Sequence, residues 1–268
     1  MTRQAAMFAE SDAYERFMGR WSRQLAPLFV RFAGVGAGDS VLDVGSGTGA
    51  LAAAVIRLGH STRVTGIDPS PAYVAFAREH LAGDRVRFLV GDAQRLQLPD
   101  AAFDCTLSLL VVNFIPDRET AIREMIRVTR PGGVVAAAVW DYGDGMEMLR
   151  VFWDEAVKTA PAADERDERH MPLCRAGELA AFWRAHGLQR VEEQPLTIRL
   201  EFASFDDYWA PFLGGQGPAG AYVASLSDAD RGALVDRLRR RLAGAAEHGG
   251  RLTLRARAWA VKGMRPVA

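Results

Sequence analysis

The sequence predicts an α/β protein built on a doubly wound, mostly parallel sheet. Strand-like and helix-like segments alternate from Val41 to Asp141, the order that lays helices over both faces of a parallel sheet. Two of the strand-like runs, within Phe103–Asp117 and over Val134–Asp141, are apolar nearly throughout, which fits strands buried on both sides. The third observation is VLDVGSGTG, Val41 to Gly49: an apolar run, a turn of alternating glycines, then a helix start.

Ahead of that stretch, Tyr14, Phe17, Met18, Trp21, Leu25, Leu28 and Phe32 recur at three- and four-residue steps. This is an amphipathic helical stripe, interrupted by Gly19 and Pro27. It predicts a leading helix or two, with Arg20 beside the stripe and YERFMGRW closing over a ligand. Thr62–Asp68 reads as a second strand ending in an acid, and Ser70-Pro71 as the cap and first residue of a helix running to about Leu81. Arg85–Ala93 is a third strand ending in Gly91-Asp92. A fourth strand and turn occupy Phe103–Asp117, a helix follows, and Arg130–Gly133 stops it before the fifth strand at Val134–Asp141.

Asp43 gives the glycine turn its character. Gly45-x-Gly47 also suits a dinucleotide, but a carboxylate two residues before Gly45 would repel a pyrophosphate. It suits a ligand presenting an ammonium or sulfonium cation. Asp68 is placed to accept hydrogen bonds from ribose hydroxyls, and Asp92, the third acid in register, from an adenine amino group.

The later chain is less regular. Met146–Val157 and Cys174–Gly187 read as helices, separated by the charged loop DERDERH. Arg190–Phe202 and Arg251–Val261 read as strands, and Ser227–Arg241 as a helix with the capping box Ser227-x-x-Asp230. The aromatic, glycine-rich Ser204–Tyr222 reads as an insertion. The expected division is a helical lid over 1–36, a cofactor-binding core over 37–141, and a remainder over 142–268 with substrate-cap insertions at about 142–175 and 202–245.

Lys+Arg and Asp+Glu are both 33, so formal net charge is zero and nothing favours nucleic acid or an anionic membrane. Glu10, Asp12 and Glu15 fall where the apolar part of a leader would lie, and no apolar run approaches a bilayer span. The two cysteines, Cys105 and Cys174, allow one disulfide but no disulfide framework, so a reducing cytoplasm is expected.

The glycine loop, Asp68-Pro69-Ser70, Gly91-Asp92-Ala93, the Phe103–Asp117 run and RPGG before VVAAAVW together resemble the class I S-adenosylmethionine-dependent methyltransferases, over about Val41 to Asp141. The nearest branch is the bacterial quinone-biosynthesis and small-molecule enzymes. The resemblance implies a seven-stranded sheet whose last strand is antiparallel, and methyl transfer from S-adenosylmethionine to a small, mostly apolar acceptor. The candidate cofactor set is Asp43, Gly45, Ser46, Gly47, Asp68, Pro69, Asp92, Ala93, Ser108 and Leu109, with Tyr14 and Arg20 added from the leading stripe, Arg20 to pair with the cofactor carboxylate. The glycine loop and Asp43 would take the methionine end, and Leu109 would lie beside the sulfonium. Relatives often carry two histidines where this chain has Asn113-Phe114, so no acid–base role transfers there. His170, Tyr142 and Asp141 are candidates for a base by position alone, and no side-chain cluster has metal-ligand spacing.

A protein methyltransferase and a cofactor-binding module without turnover are the competing readings. A base-amino nucleic-acid enzyme is disfavoured by Val112–Pro116, which lacks the Asp/Asn-Pro-Pro-aromatic turn, and a nicotinamide dehydrogenase by Asp43. Monomer and homodimer both fit.

Overall fold

The structure is a computed structural model describing residues 14–59, 61–81, 83–244 and 250–267. Glu10 and Asp12, and with them the leader argument and the first part of the expected lid, lie outside the described residues.

Seven strands form one sheet: β1 (Ser40–Val44), β2 (Arg63–Asp68), β3 (Val86–Val90), β4 (Phe103–Leu109), β5 (Thr129–Trp140), β6 (Gln189–Phe202) and β7 (Leu252–Met264). Their order is β3-β2-β1-β4-β5-β7-β6. β1 to β5 pair in parallel, and β7 runs antiparallel between β5 and β6. The chain winds outward from β1 to β3, then returns and winds the other way from β4 to β5. Right-handed crossovers therefore put the helices of the two halves on opposite faces. The reversal lies between β1 and β4, and the crevice at their carboxyl ends is where such sheets bind ligands.

Nine α-helices lie among the described residues: α1 (Arg20–Ala33), α2 (Ala50–Ile56), α3 (Pro71–His80), α4 (Arg118–Val128), α5 (Glu147–Thr159), α6 (Glu178–Ala185), α7 (Phe205–Trp209), α8 (Gly217–Ser225) and α9 (Asp228–Ala243). The capping signals act as read. Ser70 Oγ accepts from the Tyr73 N–H at 3.4 Å, and Ser227 Oγ from the Asp230 N–H at 3.1 Å. These bonds satisfy donors that a helix start leaves open.

Several boundaries differ from the sequence reading. Neither Gly19 nor Pro27 breaks the leading stripe: a π-helical turn over Glu15–Gly19 runs straight into α1, which carries Pro27 on its exposed side. The fourth strand stops at Leu109, and Val112–Phe114 forms a 3-10 turn. RPGG does not separate α4 from β5 but lies within the strand, because Gly132 N–H and Gly133 C=O pair with Arg265 on the returning chain. The DERDERH loop folds into two short 3-10 turns, Pro161–Arg166 and Glu168–His170. Both cysteines are buried free thiols.

The leading helix and the late segments make one layer. Phe17 packs edge-on to Phe212 at 5.6 Å between centroids, Trp21 onto Phe202 at 5.3 Å, and Phe152 stacks on Phe212 at 4.6 Å. Trp153, Tyr208 and Phe212 are fully buried, and Trp209 and Tyr222 nearly so. The segments read as insertions thus share a hydrophobic core with the expected lid. Among the described residues no helix is long and apolar enough to cross a membrane.

Candidate active site

β1 delivers Asp43 between Gly66 of β2 and Leu107 of β4, at the point where the winding reverses. The chain then turns sharply. Gly45 and Ser46 both donate backbone hydrogen bonds to Ile67 O, at 2.7 and 2.9 Å. Gly45 has φ +75°, and a Cβ there would sit 2.5 Å from Val111, so only glycine lets the loop after β4 approach. Gly47 has φ +52° and faces open space. Its N–H donates to Asp68 Oδ2 at 2.9 Å, while Asp68 Oδ1 accepts from Ser70 N–H at 2.9 Å. Asp68 thus holds the glycine turn and its own helix cap together, and burial raises its pKa.

Asp43 is different. It is 1% exposed, and neither carboxylate oxygen has a hydrogen-bond partner. Burial first, then the neighbouring Asp68 charge, lifts its pKa to about 8, with only the Ala52 backbone N–H at the start of α2 acting the other way. The Ser46 hydroxyl beside it is also buried without a partner. Buried polar groups are nearly always satisfied within a fold, so these two mark a place built for something other than the chain itself.

The remaining predicted residues separate. Tyr14 comes to this site: burial first, then the charges of Glu15, Asp68 and Asp43, raise its pKa to about 12, against the bond to Ser22. Its ring lies 5.3 Å from that of Tyr73, and Glu15 accepts from the Thr48 hydroxyl of the glycine loop. Arg20 faces elsewhere. It pairs with Asp207 Oδ1 at 3.0 Å and lies over Trp21 and Phe202 at 4.2 and 4.8 Å, tying α1 to α7. Ser108 Oγ donates to Val44 O at 2.9 Å, strutting β4 against β1. Leu109 is buried at the end of β4. Pro69 follows the acid of β2. Asp92 is exposed and accepts from the Gln94 backbone at 2.8 Å, with Ala93 half-buried beside it.

The three candidate bases divide likewise. His170 is exposed and lies 3.2 Å from Asp164. Asp141 forms an ion pair with Arg257 of β7 at 2.6 Å, which assigns it to holding β5 against β7. Tyr142 is buried just past β5, with its pKa raised by burial and then by Glu168, Cys174 and Tyr14, while a hydrogen bond with Asn113 acts the other way. Among the described residues no group of three or more His, Cys, Asp or Glu could hold a metal ion.

Two features had no signal in the sequence. Leu110, at the carboxyl end of β4, has φ +66°, a strained conformation for a leucine. It turns the chain so that Val111 covers Gly45. Glu168, one of a charged run, is 2% exposed and accepts from the Trp153 indole N–H. An open cleft lined by Arg63, Arg85, Arg87 and Pro99 sits at the opposite, amino ends of the strands and belongs to neither feature.

Comparison with known proteins agrees with this geometry. A family described as methyltransferase domain matches residues 42–137. The chain is 35% identical over 121 residues to 2-methyl-6-phytyl-1,4-hydroquinone methyltransferase of Synechocystis, covering 45% of this chain and 38% of that protein. It is 33% identical over 153 residues to malonyl-[acyl-carrier protein] O-methyltransferase of Serratia marcescens, covering 53% and 58%. The chain therefore spans less than two thirds of either relative. Phosphoethanolamine N-methyltransferase 2 of Haemonchus contortus, solved with S-adenosyl-L-methionine, superimposes with a TM-score of 0.58 at 20% identity, covering 98% of this chain and 57% of that one. Residues 42–137 accordingly match a methyltransferase domain, set within a sheet that has the fold of the solved methyltransferases.

Proposed function

We propose that the whole chain transfers a methyl group from S-adenosylmethionine to a small, mostly apolar acceptor. The carrying observation is Asp43: a buried, unpartnered carboxylate at the winding reversal, beside a glycine that faces open space. A dinucleotide would set its phosphates against this charge. A methionine moiety would bring an ammonium and relieve the burial cost. Asp43, Gly45, Ser46 and Gly47 would hold that moiety and Tyr14 would cover it. Asp68 would take the ribose hydroxyls through lone pairs its two backbone bonds leave free, with Pro69 beside it. Asp92 and Ala93 would border the adenine, and Ser108 and Leu109 would floor the sulfonium end. Arg20, engaged with Asp207, would shape the covering layer.

The bound cofactor supplies an activated methyl group on a cationic sulfur. The protein aligns acceptor, carbon and sulfur and excludes water, which lowers a barrier by roughly 7–11 kcal/mol when alignment is good. Support for a small apolar acceptor comes from the likeness to a hydroquinone methyltransferase. Two free buried thiols agree with a reducing compartment such as the cytoplasm. Calorimetry tests the cofactor: S-adenosylhomocysteine binds and NADH does not. A binding module without turnover separates from an enzyme when labelled methyl groups fail to reach any acceptor.

A further inference from the structure

One acid of the charged run DERDERH, Glu168, is 2% exposed and has no ion-pair partner among the described residues. Glu168 begins a 3-10 turn folded under α5. One carboxylate oxygen takes the Trp153 indole N–H. The turn leans on the two loops that leave the sheet beside Asp43. Its Met171 sulfur meets Asn113 Nδ2 at 3.7 Å, past β4, and the Glu168 charge acts on Tyr142, past β5. Tyr142 shares a hydrogen bond with Asn113 and is close enough to Tyr14 for their charges to interact, and Tyr14 in turn faces Asp43 and Asp68. The Asn113 carbonyl oxygen is buried without a partner. Trp153, which donates to Glu168, packs with Phe152 and Tyr222 in an apolar cluster.

We propose that Glu168, Tyr142 and Asn113 form the polar end of the acceptor site, and that Glu168 is the base for an acceptor carrying a hydroxyl on an apolar, ring-like body. This rests on the methyl-transfer reading above. The Tyr142 hydroxyl, itself held by Asn113, donates to the acceptor oxygen and orients it. Its proton passes to the Glu168 carboxylate as the oxygen lone pair forms the new bond to the methyl carbon. The carbon–sulfur bond breaks with its electrons left on sulfur, giving a neutral thioether, and Glu168 then sheds the proton to water. Burial brings the Glu168 pKa to about 7, where a base serves well near neutrality. Against burial act its own backbone N–H, the Trp153 indole and the Arg150 charge, while the Asp167 charge beside it adds to the rise. Arg150 and Arg169 are themselves held by Asp167, which leaves Glu168 without an ion-pair partner among the described residues.

The test uses the full chain, methyl-labelled S-adenosylmethionine, and a panel of hydroxy-aromatic probes from 4-nitrophenol to 1,4-naphthohydroquinone, beside matched amines and thiols. Methylated hydroxyl products are expected, with a rate that rises with pH through about 7. Glu168→Gln, which keeps an acceptor for the Trp153 indole, should lower kcat at least about a hundredfold. It should also abolish that pH limb and leave S-adenosylhomocysteine affinity unchanged. Tyr142→Phe should act mainly on the acceptor KM. Hydroxyl methylation that Glu168→Gln leaves intact overturns the base assignment. So does activity only on amines or thiols, or none on the panel, when S-adenosylhomocysteine binds. Failure of the wild-type chain to bind S-adenosylhomocysteine is a different result, and it removes the cofactor reading from which this inference starts.

Discussion

The buried acids of the two halves are treated differently. In the second half they are paired. Asp167 holds Arg150 and Arg169, Glu155 holds Arg237 and Lys158, and the partly exposed Asp207 likewise holds Arg20. The pairs Asp167–Arg150, Asp207–Arg20 and Glu155–Arg237 each clip a helix to a neighbour. In the first half Asp43 has no partner and Asp68 binds only backbone N–H groups. Removing a charge from water is costly unless it is compensated. An acid compensated inside the chain therefore supports the fold, while one left uncompensated at a winding reversal awaits a ligand. Glu168 is the exception that the second half contains: buried, bonded to an indole and its own backbone, and not ion-paired.

This contrast can be broken in four places. The largest effect is expected in the paired half. Phe212→Ala deletes a fully buried ring and should cost about 3–5 kcal/mol in denaturant unfolding. A loss below about 1 kcal/mol would show the aromatic layer to be a loose cap instead of core. Next comes Asp43→Asn. The folded protein keeps the Asp43 proton up to about 8, while the unfolded chain releases it near 4. The folded state thus binds more protons between those values, and wild-type stability falls as pH rises through that window. The variant should gain on wild type by roughly 4 kcal/mol between pH 5 and pH 8.5, and yet bind S-adenosylhomocysteine at least about tenfold more weakly, ~1.4 kcal/mol. A pH-independent stability difference would mean that Asp43 is satisfied after all.

Gly47 and Gly215 give a matched pair. Both have positive φ, +52° and +68°, and open space where a Cβ would go. Alanine should cost either position about 1–2 kcal/mol in thermal or denaturant unfolding. Only Gly47→Ala should also weaken S-adenosylhomocysteine; equal affinities would remove the glycine loop from the cofactor site. The smallest effect is expected at Arg20. Its partly exposed pair with Asp207 is worth about 0.2–1 kcal/mol. Arg20→Ala and Asp207→Ala should destabilise alike and leave cofactor affinity nearly unchanged in calorimetry. A loss of affinity confined to Arg20→Ala would return that arginine to the cofactor carboxylate.

The sequence by itself determined the strands and helices of Val41–Asp141, the glycine turn, the two helix caps and the special place of Asp43. These depend on local spacing: apolar period sets which face is buried, and glycine at fixed offsets sets the turn. Only the tertiary structure decided which charges lose their water. Asp141 stands at a strand end like Asp43 and Asp68, but Arg257, far along the chain, neutralises it. Arg20 lies beside the leading apolar stripe and is held by Asp207. Glu168 and His170 are neighbours in one charged run, and folding buries the first and leaves the second in solvent. No periodicity distinguishes them, because burial of a turn residue is set by what packs over it. Here that is Trp153 of α5, whose own position depends on Phe212 and Tyr222 arriving from the last third of the chain.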